Sequence, residues 1–339
     1  MKLFIKRFFA IFKARNLEFF RDRASLGWSI LFPLLLLVGF AVVFSGDGKS
    51  IYKVGVMNGP ESKGEFLSTR YTEFVDYADR EIALDKLRQH KIDFLVDFTN
   101  KQYWLNDTSP NGYFVEKLLL ADSSIIGWRQ QAVTGKQIRY LDWVLPGILG
   151  MNMMFSCLFG VGYVIVRYRK NMVLKRLNAT PVTAIEFLTA QIFSRLWIVL
   201  FIASVIFIGC DILFDFYMLG SYLDLFIIAI LGAISLISLG LFIASRSESE
   251  ELTGGLLNLV SWPMMVLSGV WFSLEGSPEI VQQIALLLPL THLVEGARSI
   301  MTDGASLLDI SHHIISLVVM TAIFLGIGSW NFKWQGQGR

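Results

Sequence analysis

The side chains that could carry chemistry are few and lie far apart along the chain. The phosphate-binding loop Gly-x-x-x-x-Gly-Lys-Ser/Thr, whose backbone cradles the phosphates of ATP, does not occur, since Gly135-Lys136 lacks the leading glycine. Cysteine occurs twice, at Cys157 and Cys210, in or beside apolar runs, which favours packing residues over a disulfide. No nucleophile motif or metal-ligand spacing stands out. We therefore expect no catalytic residue, no metal site and no cofactor bound by this chain.

Charged residues within apolar runs are the other candidates, because a charge in hydrocarbon is costly and is usually functional. Arg195 is the one clear case, and two interpretations stay open: a functional cation, or a side chain that extends to the cytoplasmic interface. Glu295 and Arg298 are three residues apart, the spacing at which two side chains can pair on one helix. The long apolar runs hold no carboxylate, which counts against an ion-coupled carrier.

The composition fixes the environment in which these residues act. Of 339 residues, 54% are hydrophobic and only 17% are charged, and the mean hydropathy is +0.53. Soluble domains carry about 25% charged residues. These values exclude a disordered chain, a disulfide-stapled secreted domain and an ordinary soluble enzyme, and a net charge of +2 is too small to indicate nucleic-acid binding. We expect an integral membrane protein.

Six apolar runs, uncharged apart from Arg195, are long enough to cross a bilayer, for which a helix needs about 20 residues. They are residues 24–46, 143–166, 187–210, 225–245, 252–274 and 314–332. The sequence thus predicts an α-helical integral membrane protein with six transmembrane helices, spans 2–6 lying within residues 143–332. The shorter run 280–294 contains Pro289, and we predict a pair of re-entrant outer helices at about 275–300, broken near that proline.

The distribution of basic residues predicts the orientation of the chain. Seven Lys and Arg residues precede the first run, and five more, with no acidic residue, follow the second. We therefore place residues 1–23 and the tail 333–339 in the cytoplasm, and residues 47–142 on the exported side. The first run is too long for the core of a signal peptide, which favours an uncleaved anchor.

Two further segments lie outside the predicted spans. Residues 1–23 mix bulky apolar and basic side chains, with phenylalanine at 4, 8 and 12, the pattern of an amphipathic helix in the membrane interface. Residues 47–142 have a globular composition and predict a small α+β extracytoplasmic domain inserted between spans 1 and 2. Its expected elements are strands at 53–57 and 92–98, a strand at 101–105 that completes a hairpin, and helices at 80–90 and 113–131.

The loop after the second span has the most specific pattern. Residues 169–177 predict a short helix on the cytoplasmic surface, and Pro181 ends it because the residue before a proline avoids helical geometry. Thr183 and Glu186, three residues apart, predict a capping box that begins the next helix. Taken alone, an ordinary positively charged loop would explain this pattern equally well.

Three segments resemble the permease subunits of type-2 ABC exporters. The first is Leu174-Lys-Arg-Leu-Asn-Ala-Thr-Pro-Val-Thr183, which is similar to the coupling-helix region of that family. The second joins Leu267-Ser-Gly-Val-Trp-Phe272 to Pro289-Leu-Thr-His-Leu-Val-Glu-Gly-Ala-Arg298, and the third is Lys53-Val-Gly-Val-Met-Asn58. The resemblance covers nearly the whole chain and favours the subgroup with a large exported domain between spans 1 and 2, for which the domain here is somewhat short.

The resemblance implies a half-transporter of the bacterial inner membrane. Two permease copies, identical or related, would pair with two separate ABC ATP-binding subunits that hold ATP and magnesium, and a coupling helix at about 169–178 would press into the ATP-binding subunit. The residues implied in coupling are Arg169, Met172, Val173, Lys175, Arg176, Leu177 and Pro181. Those expected to line the substrate pathway are Asn152, Met153, Phe155, Asn258, Trp262 and Met265. Those expected at an outer gate are Pro289, Glu295 and Arg298.

No motif encodes the substrate. Methionine and aromatic residues in spans 2 and 5 favour a lipophilic molecule such as a drug, antibiotic, lipid or glycolipid, while the glycines there are also explained by close helix packing. Two other functions stay open: a membrane receptor whose exported domain senses a ligand, and an ion-coupled secondary transporter. Membrane lipid is an expected partner, and nucleic acid is not.

Overall fold

The computed structural model describes residues 2–43, 52–59, 66–89, 91–107, 109–121, 128–133, 139–245, 247, 249–274 and 277–331. The chain forms two compact units. One is Met1–Gly39 with Leu141–Arg339, and the other is Phe40–Tyr140. The first unit is helical, and the second is built around a β-sheet.

The described residues contain twelve α-helices and five strands. The helices are α1 (Lys2–Arg21), α2 (Arg23–Val43), α3 (Arg80–Arg88), α4 (Pro110–Ala121), α5 (Tyr140–Lys170), α6 (Val173–Asn178), α7 (Ala184–Phe214), α8 (Tyr222–Ala244), α9 (Glu250–Leu267), α10 (Glu279–Ala285), α11 (Pro289–Asp303) and α12 (Ser311–Trp330). The strands are β1 (Tyr52–Met57), β2 (Thr72–Asp76), β3 (Phe94–Asp97), β4 (Gln102–Asn106) and β5 (Arg129–Val133).

Helix length and composition support a multi-pass membrane protein. Four helices, α5, α7, α8 and α12, are long and apolar enough to cross a bilayer. Two bent pairs also qualify if each counts as one span: α1 with α2, bent by 60°, and α10 with α11, bent by 95°. Four to six crossings therefore fit the described helices. The second pair contains the break predicted near Pro289, which is the first residue of α11.

The predicted fifth span corresponds to α9, which is shorter than the apolar run of residues 252–274. Its 18 residues begin with Glu250 and Glu251 and end at Leu267. The helix stops there because Gly269 has a φ of +65°, a left-handed conformation typical of a helix end. Helix α9 is accordingly not among the four helices that qualify alone.

Helix α5 lies at the centre of the helical core. Its buried side chains include Met154, Cys157 and Leu158, which belong to one cluster with residues of α7, α8, α9 and α11. The backbones of α5 and α8 approach closely, since a Cβ built on Gly240 would lie 3.1 Å from the Cα of Leu158. The crossing of α5 and α8 therefore depends on a small residue, as is common between membrane helices.

Helix α1 packs along α7. The rings of Phe8 and Phe193 meet edge to face with 5.8 Å between centroids, and those of Phe20 and Phe201 do so at 6.1 Å. Other apolar side chains of α1 are exposed, namely Phe4, Ile5, Phe9 and Leu17. One apolar surface thus contacts α7, and the exposed one is of the kind that a membrane interface accommodates.

The second unit is a five-stranded sheet with a helix on each face. The strand order is β2-β1-β3-β4-β5; β1 is parallel to β2 and β3, β3 and β4 form an antiparallel hairpin, and β4 is parallel to β5. Side chains alternate along β3, so Phe94 and Val96 pack with α4 while Leu95 packs with α3. Both faces of the central strands are therefore buried.

The second half of the predicted helix 113–131 is wrong. Helix α4 ends at Ala121, and residues Arg129–Val133 form strand β5 beside β4. The indole nitrogen Nε1 of Trp104 on β4 donates a hydrogen bond to Oε1 of Gln131 at 2.6 Å. This cross-strand contact joins distant parts of the chain, so no local periodicity indicates it. Strand β2 was likewise absent from the sequence prediction.

The carboxylate of Asp97 organises the turn that follows β3. It is buried and accepts hydrogen bonds from the backbone nitrogens of Thr99 and Asn100, at 3.0 and 3.2 Å, and from the side-chain amides of Asn58 and Asn100. Burial raises the pKa of Asp97, but these hydrogen bonds outweigh burial and hold the pKa below its ordinary value. The charged form of Asp97 therefore stabilises the turn.

We expect Asp97→Asn to lower the free energy of unfolding of this unit by about 1–3 kcal/mol near neutral pH, because the amide cannot replace the charged acceptor. The pKa of Asp97 in the folded state is depressed, so its contribution is complete above the unfolded value of about 3.9 and is lost as the pH falls through the folded value. Limited proteolysis of the full-length protein in urea measures the difference. The exposed carboxylate Asp107, replaced by Asn, is the matched control, and equal resistance of both variants at pH 7 would contradict the expectation.

Candidate functional site

The loop between α5 and α7 forms a sharp turn around the short helix α6. Helix α5 ends at Lys170, and Met172 has a φ of 58°, so the chain changes direction before α6 begins at Val173. The short helix predicted at 169–178 is thus six residues long and starts later than expected. The left-handed conformation of Met172 is the physical reason, since it cannot continue a right-handed helix.

Arg169 lies in the last turn of α5 and is buried. One guanidinium nitrogen, Nη1, donates to the carbonyl oxygen of Ala244 at 3.2 Å and to that of Ser247, and Nη2 donates to the carbonyl of Ser245 at 3.0 Å. Ala244 and Ser245 stand at the end of α8, and Ser247 follows it, so these carbonyls lack partners within the helix. Arg169 therefore connects the end of α5 to the segment at the end of α8, and its side chain is buried.

The remaining predicted coupling residues divide into buried and exposed sets. Of the predicted residues, Leu177 packs against the core and Val173 is half-buried. Leu174, which lies in the same helix but was not among the predicted residues, is fully buried in the core. Four side chains are exposed and form what we call the α6 surface: Met172, Lys175, Arg176 and Pro181. The apolar side of α6 therefore fixes the helix to the permease, and the α6 surface faces outward.

The start of α7 shows the predicted capping box. The backbone nitrogen of Thr183 donates to Oε2 of Glu186 at 2.7 Å, and the backbone nitrogen of Glu186 donates to Oγ1 of Thr183 at 3.3 Å. Arg7 of α1 adds a contact that the sequence did not indicate: its Nη1 donates to the carbonyl of Pro181 at 2.5 Å and lies 3.5 Å from Oε1 of Glu186. Helix α1 thus fastens both sides of the turn that follows α6.

A polar cavity of about 600 Å³ lies beside α5 and receives two of the predicted pathway residues. Asn152 and Phe155 line it, and Nδ2 of Asn152 donates to the carbonyl of Ser29 on α2 at 3.2 Å. The other lining side chains come from α1, α2, α5, α7 and the start of α9. They include Arg15, Glu18, Phe19, Asp22, Trp28, Phe32, Ser156, Phe159, Gly160, Tyr163, Arg167, Arg195 and Glu250. The sequence analysis did not predict Arg15, Arg167 and Glu250 at this site. These residues flank the apolar runs, and the sequence does not indicate the direction in which such charged side chains point.

A second, apolar cavity of about 290 Å³ lies between α5, α7, α8 and α11. Met153 lines this cavity and not the polar one. The side chains around it are apolar except for Ser204, Asp211 and Tyr222. Helix α7 extends beyond the apolar run 187–210 that was predicted as the third span. It therefore includes the carboxylate of Asp211, which lies just after that run.

The other three predicted pathway residues lie on α9, away from both cavities. Nδ2 of Asn258 donates to the carbonyl of Gly254 in its own helix at 3.0 Å, and Asn258 is exposed. Trp262 is also exposed, and Met265 is half-buried against the core. The protomer therefore does not bring the six predicted pathway residues together.

The predicted outer-gate residues belong to α11. Pro289 begins the helix after the 95° bend, and Glu295 is half-buried along it. Arg298 contacts the start of α5: its Nε donates to the carbonyl of Trp143 at 3.1 Å, and its guanidinium carbon lies 3.7 Å from the centre of the Trp143 ring. Its Nη2 donates to the carbonyl of Gly269 at 2.9 Å. Arg298 thus joins α11, α5 and the turn after α9.

Arg195 points across to α5 rather than along α7 to an interface. Its Nε donates to the carbonyl of Ser156 at 2.6 Å, and its Nη2 donates to that carbonyl and, at 2.8 Å, to the Ser156 hydroxyl. The guanidinium therefore forms part of the wall of the polar cavity.

Comparison with known proteins agrees with this helical arrangement. Residues 23–330 match the family described as ABC-2 family transporter protein. The chain belongs to this family. The four helices that are long and apolar enough to cross a bilayer are consistent with an ABC-2 permease.

Two relatives of this ABC-2 permease come from Escherichia coli (strain K12). The inner membrane transport permease YhhJ is 28% identical over 181 residues, which cover 51% of this chain and 46% of YhhJ, so the chain spans about half the length of that relative. The probable multidrug ABC transporter permease YbhS is 21% identical over 351 residues, which cover 91% of each protein.

We expect Arg169→Met to destabilise the ABC-2 permease, because it leaves three carbonyl groups at the end of α8 without their donor. Buried hydrogen bonds to a charged group contribute about 1.5–3 kcal/mol each, so the melting temperature in detergent should fall by roughly 5 °C or more. Arg176→Met removes an exposed charge and should change the melting temperature little. If the two variants melt together at the unmodified temperature, Arg169 does not hold α8 in place.

Proposed function

We propose that this chain is the permease subunit of an ATP-driven exporter in the bacterial inner membrane. In this assembly two permease copies, identical or related, bind two separate ATP-binding subunits, which hydrolyse ATP with magnesium. Family membership and the names of the relatives, an inner membrane transport permease and a multidrug ABC transporter permease, support the proposal. Residues 1–339 contain no phosphate-binding loop, and we therefore assign the ATP site to the separate ATP-binding subunits.

The α6 surface is the observation that carries the coupling part of the proposal. An isolated helix of six residues is unstable in water, so α6 exists because Leu174 anchors it in the core. It presents one apolar side chain, Met172, beside the cations Lys175 and Arg176. Apolar anchors with a charged rim are typical of protein interfaces. We assign this surface to the ATP-binding subunit.

The connection from α6 to the cavities supports a coupling path. Helix α6 joins α5 directly to α7, and these two helices provide Asn152 and Arg195 to the polar cavity. A displacement of α6 by the ATP-binding subunit would therefore move two walls of that cavity. Arg169 and Arg7 make the turn stiff, which allows a push on α6 to reach the helices instead of being absorbed locally.

The exposed side of α9 supports a second permease copy. Leu259, Trp262 and Val266 form an exposed apolar surface that also carries the amide of Asn258. A polar side chain that faces hydrocarbon is unfavourable, so Asn258 favours a water-filled route or a partner at this surface over lipid. We place the predicted pathway residues Asn258, Trp262 and Met265 at the boundary between the two permease copies.

The substrate is proposed to be lipophilic, and the bend near Pro289 is proposed to act as the outer gate. The apolar cavity and the aromatic wall of the polar cavity support a lipophilic molecule. Arg298 connects α11 to the first turn of α5, so movement of α5 would be transmitted to the bent pair that contains Pro289.

We expect Met172→Asp to reduce co-purification of the ATP-binding subunit on the order of tenfold, because it places a charge at the centre of the proposed interface. Substrate export should fall in parallel at matched membrane levels. Leu308→Asp, at an exposed leucine in the turn before α12, is the control and should keep both. Retention of both by Met172→Asp would refute the assignment of the α6 surface. Leu177→Asp is less informative, since Leu177 also packs on the core.

We expect single cysteines at Lys117 and Lys175 to react from opposite sides of the membrane, because the basic residues place α6 in the cytoplasm and the sheet unit outside it. Both positions are exposed, and the native Cys157 and Cys210 are replaced by Ala. An impermeant maleimide should label the Lys117 variant in cells with a permeabilised outer membrane, and the Lys175 variant only after lysis. Labelling of both before lysis would contradict this topology.

A further inference from the structure

The guanidinium of Arg195 lies in a membrane-spanning helix and has no counter-ion. Its hydrogen bonds go to the carbonyl and hydroxyl of Ser156, and no carboxylate of the described residues lies within ion-pair distance of it. A carbonyl satisfies an N–H group but does not neutralise a full charge. An uncompensated charge in a membrane helix is unfavourable and usually has a function.

The neighbouring helix keeps space for this cation. Gly160 follows Ser156 by one turn on α5, and a Cβ built on Gly160 would overlap the guanidinium of Arg195. The guanidinium carbon also lies 5.6 Å from the centre of the Phe19 ring. These contacts hold the cation at the cavity wall.

Two carboxylates of the same wall already have partners. Oε2 of Glu18 accepts hydrogen bonds from Arg15 and from the Tyr168 hydroxyl, both at 2.6 Å. Glu250 lies 3.7 Å from the ammonium group of Lys170. These pairs leave Arg195 as a positive charge without compensation.

Two more donors line the cavity. The Nε atom of Arg15 is buried and has no hydrogen-bond partner in the described chain. Arg167 is exposed at the wall, and no ion pair involves it among the described residues. A third carboxylate of the wall, Asp22, is not within ion-pair distance of Arg195. The side of the cavity near Arg195 therefore favours an anion.

Another part of the wall is aromatic. Trp28 and Phe32 of α2 face the cavity together with Phe155 and Phe159 of α5. The volume of about 600 Å³ is within the usual range for a drug-sized ligand. One molecule could thus place an acidic group near Arg195 and an apolar body against the rings.

We propose that the polar cavity binds an anionic amphiphile, whose phosphate or carboxylate pairs with Arg195 and whose apolar part lies against Trp28, Phe32, Phe155 and Phe159. The planar guanidinium suits such a group because it can donate two parallel hydrogen bonds to two oxygens. The inference rests on the proposed transport function insofar as it names the class of substrate. The same chemistry is found in a membrane phospholipid and in an amphiphilic acid that is exported.

Calorimetric titration of the purified permease in dodecyl maltoside with dodecyl phosphate tests the site. We expect saturable binding, weakened at least about tenfold in Arg195→Gln and unchanged in Arg70→Gln, which removes an exposed arginine of the sheet unit. Inorganic phosphate and dodecyltrimethylammonium should bind much more weakly, because each lacks one half of the proposed ligand. Equal affinity of Arg195→Gln and the unmodified protein, or equal binding of the cationic amphiphile, would overturn the proposal.

A second variant distinguishes loss of binding from a folding defect. Gly160→Ala keeps the charge of Arg195 but displaces the guanidinium, so it should also weaken binding of dodecyl phosphate by several-fold at an unchanged melting temperature. Unchanged affinity in Gly160→Ala would overturn the assigned position of the anion even if Arg195→Gln folds poorly.

The two sources of the ligand are then distinguished. Acidic phospholipid that co-purifies with the permease, and is lost in Arg195→Gln, identifies a bound lipid; stimulation of ATP turnover by dodecyl phosphate in the complex identifies a transported acid. Both results support the site. Failure of the transport proposal would show as absence of an ATP-binding partner, whereas failure of this inference would show as absence of binding to the permease alone.

Discussion

In hydrocarbon a polar group must find its partner within the protein, and this constraint explains how the helical unit is held together. Three arginines meet it in the same way, by donating to backbone carbonyls of another segment. Arg169 binds carbonyls at the end of α8, Arg195 binds one in the middle of α5, and Arg298 binds those of Trp143 and Gly269. Each interaction joins two segments of the helical unit that are distant in sequence.

These interactions also relate the packing to the proposed transport. Helix α5 is bound near its first turn by Arg298, in its middle by Arg195 and in its last turn by Arg169. The arginines at its two ends contact the proposed gate and the turn that presents α6, and the middle one lines the polar cavity. A single helix thus connects all three parts of the candidate site.

Local features could be predicted from the sequence, and features that depend on distant contacts could not. The capping box of α7 and the break at Pro289 follow from a few adjacent residues, and both are present. Strand β5 depends on pairing with β4, and the inward direction of Arg169 depends on α8, so neither has a local signal. A basic residue at the end of a span is equally consistent with exposure and with a buried contact.

The predicted pathway residues separate for a related reason. The types of Asn152, Met153 and Asn258 indicated that they line the substrate pathway. Which face of a helix lines a cavity, however, depends on the helices that pack around it. Asn152 and Met153 are consecutive on α5 and therefore line different cavities. The charged part of the polar cavity comes largely from segments that flank the apolar runs, where hydropathy gives no information about direction.

The length of α5 and α7 has a consequence for any partner of α6. Each has 31 residues, or about 46 Å of helix, whereas the hydrocarbon core is about 30 Å thick. The excess is about 16 Å, and shared between the two ends it brings α6 to about the level of the lipid headgroups, where Arg7 of α1 binds the turn that follows α6. A protein that binds the α6 surface therefore also meets lipid headgroups, and its affinity for the permease should depend on the charge of the membrane surface.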